Sequence, residues 1–260
     1  MKKKFLLPVM ALMLCVISCE DDKGSDNSSS SNPSKFKKLV SITTSDEDDS
    51  VTFSYDKNGN LVSAIESEIE EFSGFYYEHI TQYSWEGDEI IVSGYDCEDE
   101  LSYTVKNGKI VEGFDLEDGD ITTFIYDSSG HLRMVSSEYD GCRCIWSDGR
   151  LSSIVEEHDS YTTSYKFHYS GEECKGFFPL LGGFIEDDEY LFRAMPQMIG
   201  AAQTALPSKV VRNEVYNNNN SMSTRTYKYT FYEDGYLKSC TETYSDDYDD
   251  DVETYYFKWQ

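Results

Sequence analysis

Beyond residue 36 apolar and polar residues alternate with a period of two. Phe75, Tyr77, His79, Thr81, Tyr83 and Trp85 share one face of such a run. Tyr165, Phe167 and Tyr169 do the same in a second, and Tyr255, Phe257 and Trp259 in a third. Each pattern predicts a strand with one wet face and one apolar face that must be hidden. The runs come in pairs, joined by short turns. VTFSYDKNGNL (51–61), TFIYDSSGHL (123–132) and YTFYEDGYL (229–237) are near copies of one phrase, and VKNGKI (105–110) and WSDGRL (146–151) are shorter versions. Tyr55, Trp85, Val105, Tyr126, Trp146, Tyr169 and Phe231 hold the equivalent position, mostly at a spacing of about 20 residues, the length of one β-hairpin with its connection.

The turn residues agree with this reading. Asn107-Gly108 and Asp148-Gly149 suit two-residue hairpins, whose central residues both need positive φ. The stretches 56–59 and 127–130 suit a type I turn closed by a left-handed glycine. The sequence therefore predicts an all-β fold: an antiparallel meander of repeated hairpins, curled or barrel-like, with the carboxylates on the wet face.

Between Tyr169 and Phe231 the alternation breaks. Glu186–Glu189 would favour a helix N-terminus, and Tyr190, Leu191, Ala194, Met195, Met198 and Ile199 recur at helical spacing. Pro196 must kink or split that helix unless it opens a second one. Leu206-Pro207-Ser208-Lys209-Val210 returns to strand. The sequence thus predicts a helical insertion over about 176–208 that caps an open end or face of the sheet, with its Met and Phe side chains in the core.

Composition narrows the function. The 260 residues carry 22 Lys+Arg against 49 Asp+Glu, a net charge of −27. Such a chain lacks the basic clusters that hold a phosphate backbone, so no nucleic-acid partner is expected, and adsorption to anionic lipid is disfavoured. The 21 Tyr and 14 Phe need a packed interior, which a disordered chain cannot provide.

The N-terminus reads as an address. Lys2–Lys4 precede an apolar stretch, Phe5–Ile17, too short to cross a bilayer core of about 30 Å. The stretch ends in Val16-Ile17-Ser18-Cys19, which resembles a bacterial lipobox. That resemblance implies a signal peptide over 1–18, lipidation of Cys19, and an anchor of two or three acyl chains. Glu20-Asp21-Asp22 is similar to the surface-export signal of Bacteroidetes lipoproteins. It implies a protein anchored in the outer membrane and facing the cell exterior. Residues 19–35 form a polar tether with an end-to-end distance of roughly 20 Å, and 36–260 form a single domain.

The Tyr-Asp-x-x-Gly-x-Leu phrase at 55–61 and 126–132 resembles the YD repeat of RHS-type bacterial proteins. With the lipobox, the acidic start and the insertion followed by Leu-Pro-Ser-Lys, the chain over 36–260 resembles a Bacteroides lipoprotein family of unknown function. The resemblance implies a hairpin-built β fold and assigns no catalytic residues; RHS shells have many more repeats than this chain.

No phrase for nucleophilic or metal-assisted hydrolysis is present: His79, His131, His158 and His168 lie outside any HExxH, and there is no GxSxG or P-loop. His79 falls on the aromatic face, as a core or rim residue, and His131 at a turn exit, in solvent. Besides Cys19 the cysteines expected in the secreted chain are Cys97, Cys142, Cys144, Cys174 and Cys240. They lack zinc spacing and read as packed or disulfide residues. Cys142 and Cys144 share one strand face, which keeps them from bonding each other. The carboxylate runs 46–49, 98–100, 186–189 and 246–251 read as solvated loops, with no cofactor implied beyond loose Ca²⁺ binding at 246–251. Tyr76, Tyr95, Tyr139, Tyr161, Tyr236 and Tyr248 fall outside the core alternation and are the rings open to a sugar. Two functions follow. One is a surface-anchored, non-catalytic binding or interaction lipoprotein that holds a glycan or an envelope protein. The other is a carbohydrate-active hydrolase using an acidic pair.

Overall fold

The computed structural model describes residues 37–45, 49–69, 75–94, 101–116, 118–138, 141–158, 160–185, 189–216, 219–246 and 250–260. Cys19 with its signal and tether, Cys97, Tyr95, Tyr139, Tyr248 and the acidic residues 46–48, 98–100, 186–188 and 247–249 lie outside them.

The hairpins close on themselves. β1 (Leu39–Thr43) is followed by pairs β2 (Ser50–Tyr55) with β3 (Leu61–Ile69), β4 (Tyr76–Glu86) with β5 (Glu89–Gly94), and β6 (Leu101–Lys106) with β7 (Lys109–Asp115). Next come β8 (Ile121–Tyr126) with β9 (Leu132–Ser136) and β10 (Gly141–Ser147) with β11 (Arg150–Glu157). The last are β12 (Tyr161–Glu173) with β13 (Ala205–Tyr216), β14 (Asn219–Phe231) with β15 (Leu237–Ser245), and finally β16 (Asp250–Trp259). Each strand pairs antiparallel with its sequence neighbours, and β16 pairs with β1, so the sheet is a closed sixteen-stranded meander barrel with no edge. The all-β expectation holds, and the curl is complete.

Alternate connections fall at opposite ends. One end carries the tight turns and the β1–β16 junction, where Lys38 and Gln260 exchange backbone hydrogen bonds of 2.9 and 3.0 Å. The other end, here called the mouth, carries the remaining loops. At the turn end Asn107 and Asp148 have φ of 55° and 52°, as two-residue hairpins require. In the longer turns Asp56 accepts from the N–H groups of Asn58, Gly59 and Asn60 at 2.8–2.9 Å. Asp127 does the same for Ser129 and His131. These bonds hold both carboxyls below the usual range although desolvation pulls the other way.

A register shift recurs just before the turn, at Ser54/Tyr55, Thr104/Val105, Ile125/Tyr126, Ile145/Trp146 and Thr230/Phe231. Such bulges add the local twist that lets a sheet curl into a barrel. An aromatic at this position reaches the neighbouring pair in most hairpins; the β6–β7 hairpin has Val105 instead, and Trp85 does so without a shift in its own pair. Tyr55, Trp85, Trp146 and Tyr169 donate at 2.7 Å to the carbonyls of Leu39, Leu61, Leu132 and Leu151. Tyr126 donates to Ile110. In the β14–β15 unit Tyr229, not Phe231, makes this bond, to Pro207. Phe231 holds the expected register opposite Leu237 but lies past the bulge, 37% exposed.

The interior has two storeys. The lower one, at the turn end, is apolar. Leu39, Leu61, Ile90, Ile110, Leu132, Leu151, Leu206 and Leu237 are all fully buried. The insertion fills the space between them. It comprises a 3-10 turn (Pro179–Phe184), helix α1 (Glu189–Ala194) and a second 3-10 turn (Pro196–Ile199). Pro196 ends the first helical segment and opens the next. Rather than cap the sheet from outside, the segment enters the barrel as a plug, and its rings meet opposite walls. Phe177 packs edge-on against Trp259, Phe178 against Tyr227 and Tyr229, and Phe184 against Tyr165 and Phe167. Phe192 packs against Tyr103 and Phe124. Burying one such ring stabilises by about 1.5–3 kcal/mol.

The outer wall mixes charged and apolar side chains, Ile121, Ile145 and Val252 among the exposed apolar ones. Glu78, Glu89, Arg143, Lys166, Lys209, Lys228, Lys238 and Lys258 are exposed along the strands, and hydroxyl pairs such as Thr241–Thr254 bridge them. β1, β2, β5, β6, β8 and β9 have five or six residues, whereas β3, β4 and β12 to β16 have nine to thirteen. A strand crossing a bilayer needs about 9–11 residues and an apolar outer band. No helix among the described residues is long and apolar enough to cross a membrane.

Candidate functional site

The upper storey, toward the mouth, is polar. Strand parity carries the inward face of β11 from Leu151 and Ile154 on to Glu156, and that of β12 from Phe167 to Tyr165, Thr163 and Tyr161. On β13 it runs from Val210 to Arg212 and Glu214, and on β15 from Cys240 to Glu242. The carboxylates are therefore not confined to the wet outer face, as the alternation had suggested. Many point into the barrel.

β6 to β13 enclose a cleft of about 830 Å³ in the mouth half. Its floor is Gly183, Phe184 and Ile185 of the plug; Asp115, Asp120, Glu156, Thr163 and Arg212 stand in its wall. The volume lies within the usual range for small-ligand sites, roughly 300–1,000 Å³. Arg212 binds Glu214 on its own strand and Tyr165 across the β12–β13 ladder. Burial lifts the Glu156 carboxyl above its ordinary range, against the opposing pull of His158, Arg212 and a hydrogen bond from Tyr165. Burial likewise raises the Tyr165 phenol, with Glu156 adding to it. The His158 and Tyr161 rings stack 4.2 Å apart, 21° from parallel.

One wall group lacks a partner. Thr163 is 1% exposed, and its hydroxyl has no hydrogen-bond partner among the described residues. Buried hydroxyls are ordinarily paired, and an orphan of this kind is costly. Ser223, opposite Arg212 on β14, is a second buried hydroxyl without a partner among the described residues.

The polar belt continues around the lumen. Arg225 pairs with Glu242 at 3.3 Å and lies over the Phe184 and Tyr244 rings. Tyr255 donates to Glu253, and Tyr190 of α1 donates to Glu66 of β3. Burial raises the Glu242 carboxyl, with Arg225 opposing.

The residues singled out from the sequence scatter. Of the six tyrosines, Tyr161 enters the cleft wall, Tyr76 stands 60% exposed, and Tyr236 is fully buried beneath Lys37 and Lys175. His79 is inward, near Glu68 at 3.4 Å. His131 is not simply solvated, since it stacks on Trp146 at 4.4 Å and pairs with Asp127. Cys144, Cys174 and Cys240 are buried free thiols, and Cys142 is buried as well. Among the described residues no three His, Cys, Asp or Glu side chains converge as a metal site. Glu156, Thr163 and Arg212 went unnoticed in the sequence. Parity counted upward from the buried Ile154, Phe167 and Val210 would have found them.

No protein-family model and no curated protein matches the chain. Solved structures do. A porin-like protein from Bacteroides uniformis superposes with a TM-score of 0.63 at 16% identity, covering 85% of this chain and 98% of its own. A porin-like protein from Bacteroides vulgatus gives 0.58 at 14% identity, covering 86% and 98%. At these identities the likeness is one of fold. Both neighbours come from Bacteroides, and they lend no support to the YD-type, RHS-like part of the expectation.

Proposed function

We propose that the chain is a non-catalytic binding lipoprotein of the bacterial outer envelope, anchored through Cys19 and displayed on the cell surface, with its ligand held in the mouth cleft. The observation that carries this reading is the buried, unpartnered Thr163 hydroxyl in the wall of an open, ring-lined cleft. The cleft lies at the end of the barrel opposite Lys37, where the chain enters. The mouth would take a glycan or an envelope protein.

Two experiments test it. Metabolic labelling with a radioactive fatty acid should mark the wild-type chain and miss Cys19→Ala. A thermal-shift screen of glycans, peptides and envelope extracts should find a ligand that stabilises the full chain. At 100 times its Kd such a ligand contributes about 2.7 kcal/mol, and Tyr161→Ala should lose the shift. A screen without any Tyr161-dependent shift refutes the cleft as a binding site. Release of new chain ends from a bound glycan would establish the hydrolase instead.

A further inference from the structure

The mouth cleft is a dead end. Its sides are an unbroken hydrogen-bonded wall, and its floor is the plug, behind which Leu181, Leu191 and Phe192 are fully buried. A chain molecule cannot lie across such a site; it must enter by one end.

The lining selects by charge. Asp115, Asp120 and Glu156 face Arg212, whose guanidinium is already engaged by Glu214 and Tyr165. An anionic ligand would meet carboxylates, and among the described lining residues the one guanidinium is already engaged. An aliphatic ligand would leave the Thr163 hydroxyl as unpaired as it is now. Flat rings, carboxylates and a buried, unpartnered hydroxyl in the wall together suit an uncharged molecule with apolar C–H faces and many hydroxyls. The stacked His158–Tyr161 pair and the Tyr165–Phe184 pair supply the rings.

Taking the mouth cleft as the binding site, as proposed above, we infer that it receives the terminus of a neutral saccharide chain, end-on, with the Thr163 hydroxyl bonding a sugar hydroxyl. Recognition is then limited to the few units that fit below the rim. The rest of the glycan lies outside and adds nothing.

Calorimetric titration of the full chain tests this with linear neutral gluco-, xylo- and manno-oligosaccharides of increasing length. A cyclic gluco-oligosaccharide and an oligouronate series complete the set. One linear neutral series should bind, with affinity rising over the first units and then levelling off. The cyclic and uronate ligands should bind at least about tenfold more weakly. Thr163→Val should weaken the linear ligand by about tenfold without lowering the melting temperature, because the lost hydroxyl has no partner in the free protein. Affinity that keeps climbing with length, or equal binding of the cyclic sugar, would overturn end-on entry. Preference for uronates would overturn the charge argument, and an unchanged Thr163→Val would remove that contact. If no saccharide binds while a peptide or extract component gives a Tyr161-dependent shift, the saccharide assignment fails and the binding site stands.

Discussion

The indole N–H of Trp259 donates to the carbonyl of Leu237 at 2.7 Å, across the β15–β16 pair that precedes closure of the barrel. It is the last member of the series begun by Tyr55 on Leu39, so the ring of aromatic latches runs from the first strand to the last. In Trp85 and Trp146 the same indole bond is made to Leu61 and Leu132. Each latch satisfies a carbonyl at a bulge where the sheet ladder slips, and each polar tip is bonded where its ring packs.

Replacing one latch should therefore cost more than its area. Trp146→Phe keeps an aromatic ring and deletes the donor, leaving the Leu132 carbonyl short of a partner. We expect a loss of about 1–3 kcal/mol, read from the urea midpoint at unchanged slope.

At Gly200 the plug lies directly against the barrel backbone. Its φ is +61°, and a Cβ there would stand 2.4 Å from the Gly130 carbonyl oxygen and 3.0 Å from the Leu132 nitrogen. Both are backbone atoms, and the Leu132 N–H itself donates to the Gly200 carbonyl at 3.3 Å. Gly200→Ala should destabilise by more than about 1 kcal/mol in thermal unfolding. A neutral result would mean that the plug can shift freely.

Glu242 fixes a pH dependence. It is 8% exposed, and burial raises its carboxyl despite Arg225. A raised carboxyl holds its proton more tightly in the folded than in the unfolded chain. Its contribution is present at pH below the ordinary carboxylate range and is lost as pH rises through the raised value. Glu242→Gln should then unfold at higher denaturant than wild type at neutral pH, with the gap closing on acidification. A gap that widens in acid would reverse the sign and point to Arg225 as the stronger influence.

The hairpin repeat was legible because each turn is spelled locally: Asn107-Gly108 and Asp148-Gly149 take their conformations from their own residues. The insertion was legible for the same reason, as a loss of period two with Pro196 dividing it. Its place inside the barrel was not, because that depends on how Phe178, Phe184 and Phe192 find opposite walls far apart in sequence. The cleft was least visible. Glu156 and Arg212 look like surface residues until the buried positions beneath them fix which way the strand faces. Phe231 shows the converse, since one bulge moves an expected latch aside and Tyr229 takes its role.

The thiols should be silent in the native protein. Burial pushes Cys174 up to about 12 and raises Cys240 as well, and thiolate is the reactive form. Alkylation at pH 8 followed by peptide mass spectrometry should leave Cys144, Cys174 and Cys240 unmodified, and all three should react in urea. Labelling of Cys240 in the native state would show that the lower storey opens.

Because Lys38 and Gln260 are hydrogen-bonded to each other, the order of hairpins around the wall is a circle, and the place where translation starts is an accident of the gene. A chain rejoined across that junction and reopened at Asn107-Gly108 would trace the same wall in the same sequence of neighbours. What would change is where the chain ends leave the wall: they would project from the β6–β7 turn instead of the β1–β16 junction, at the same end of the barrel.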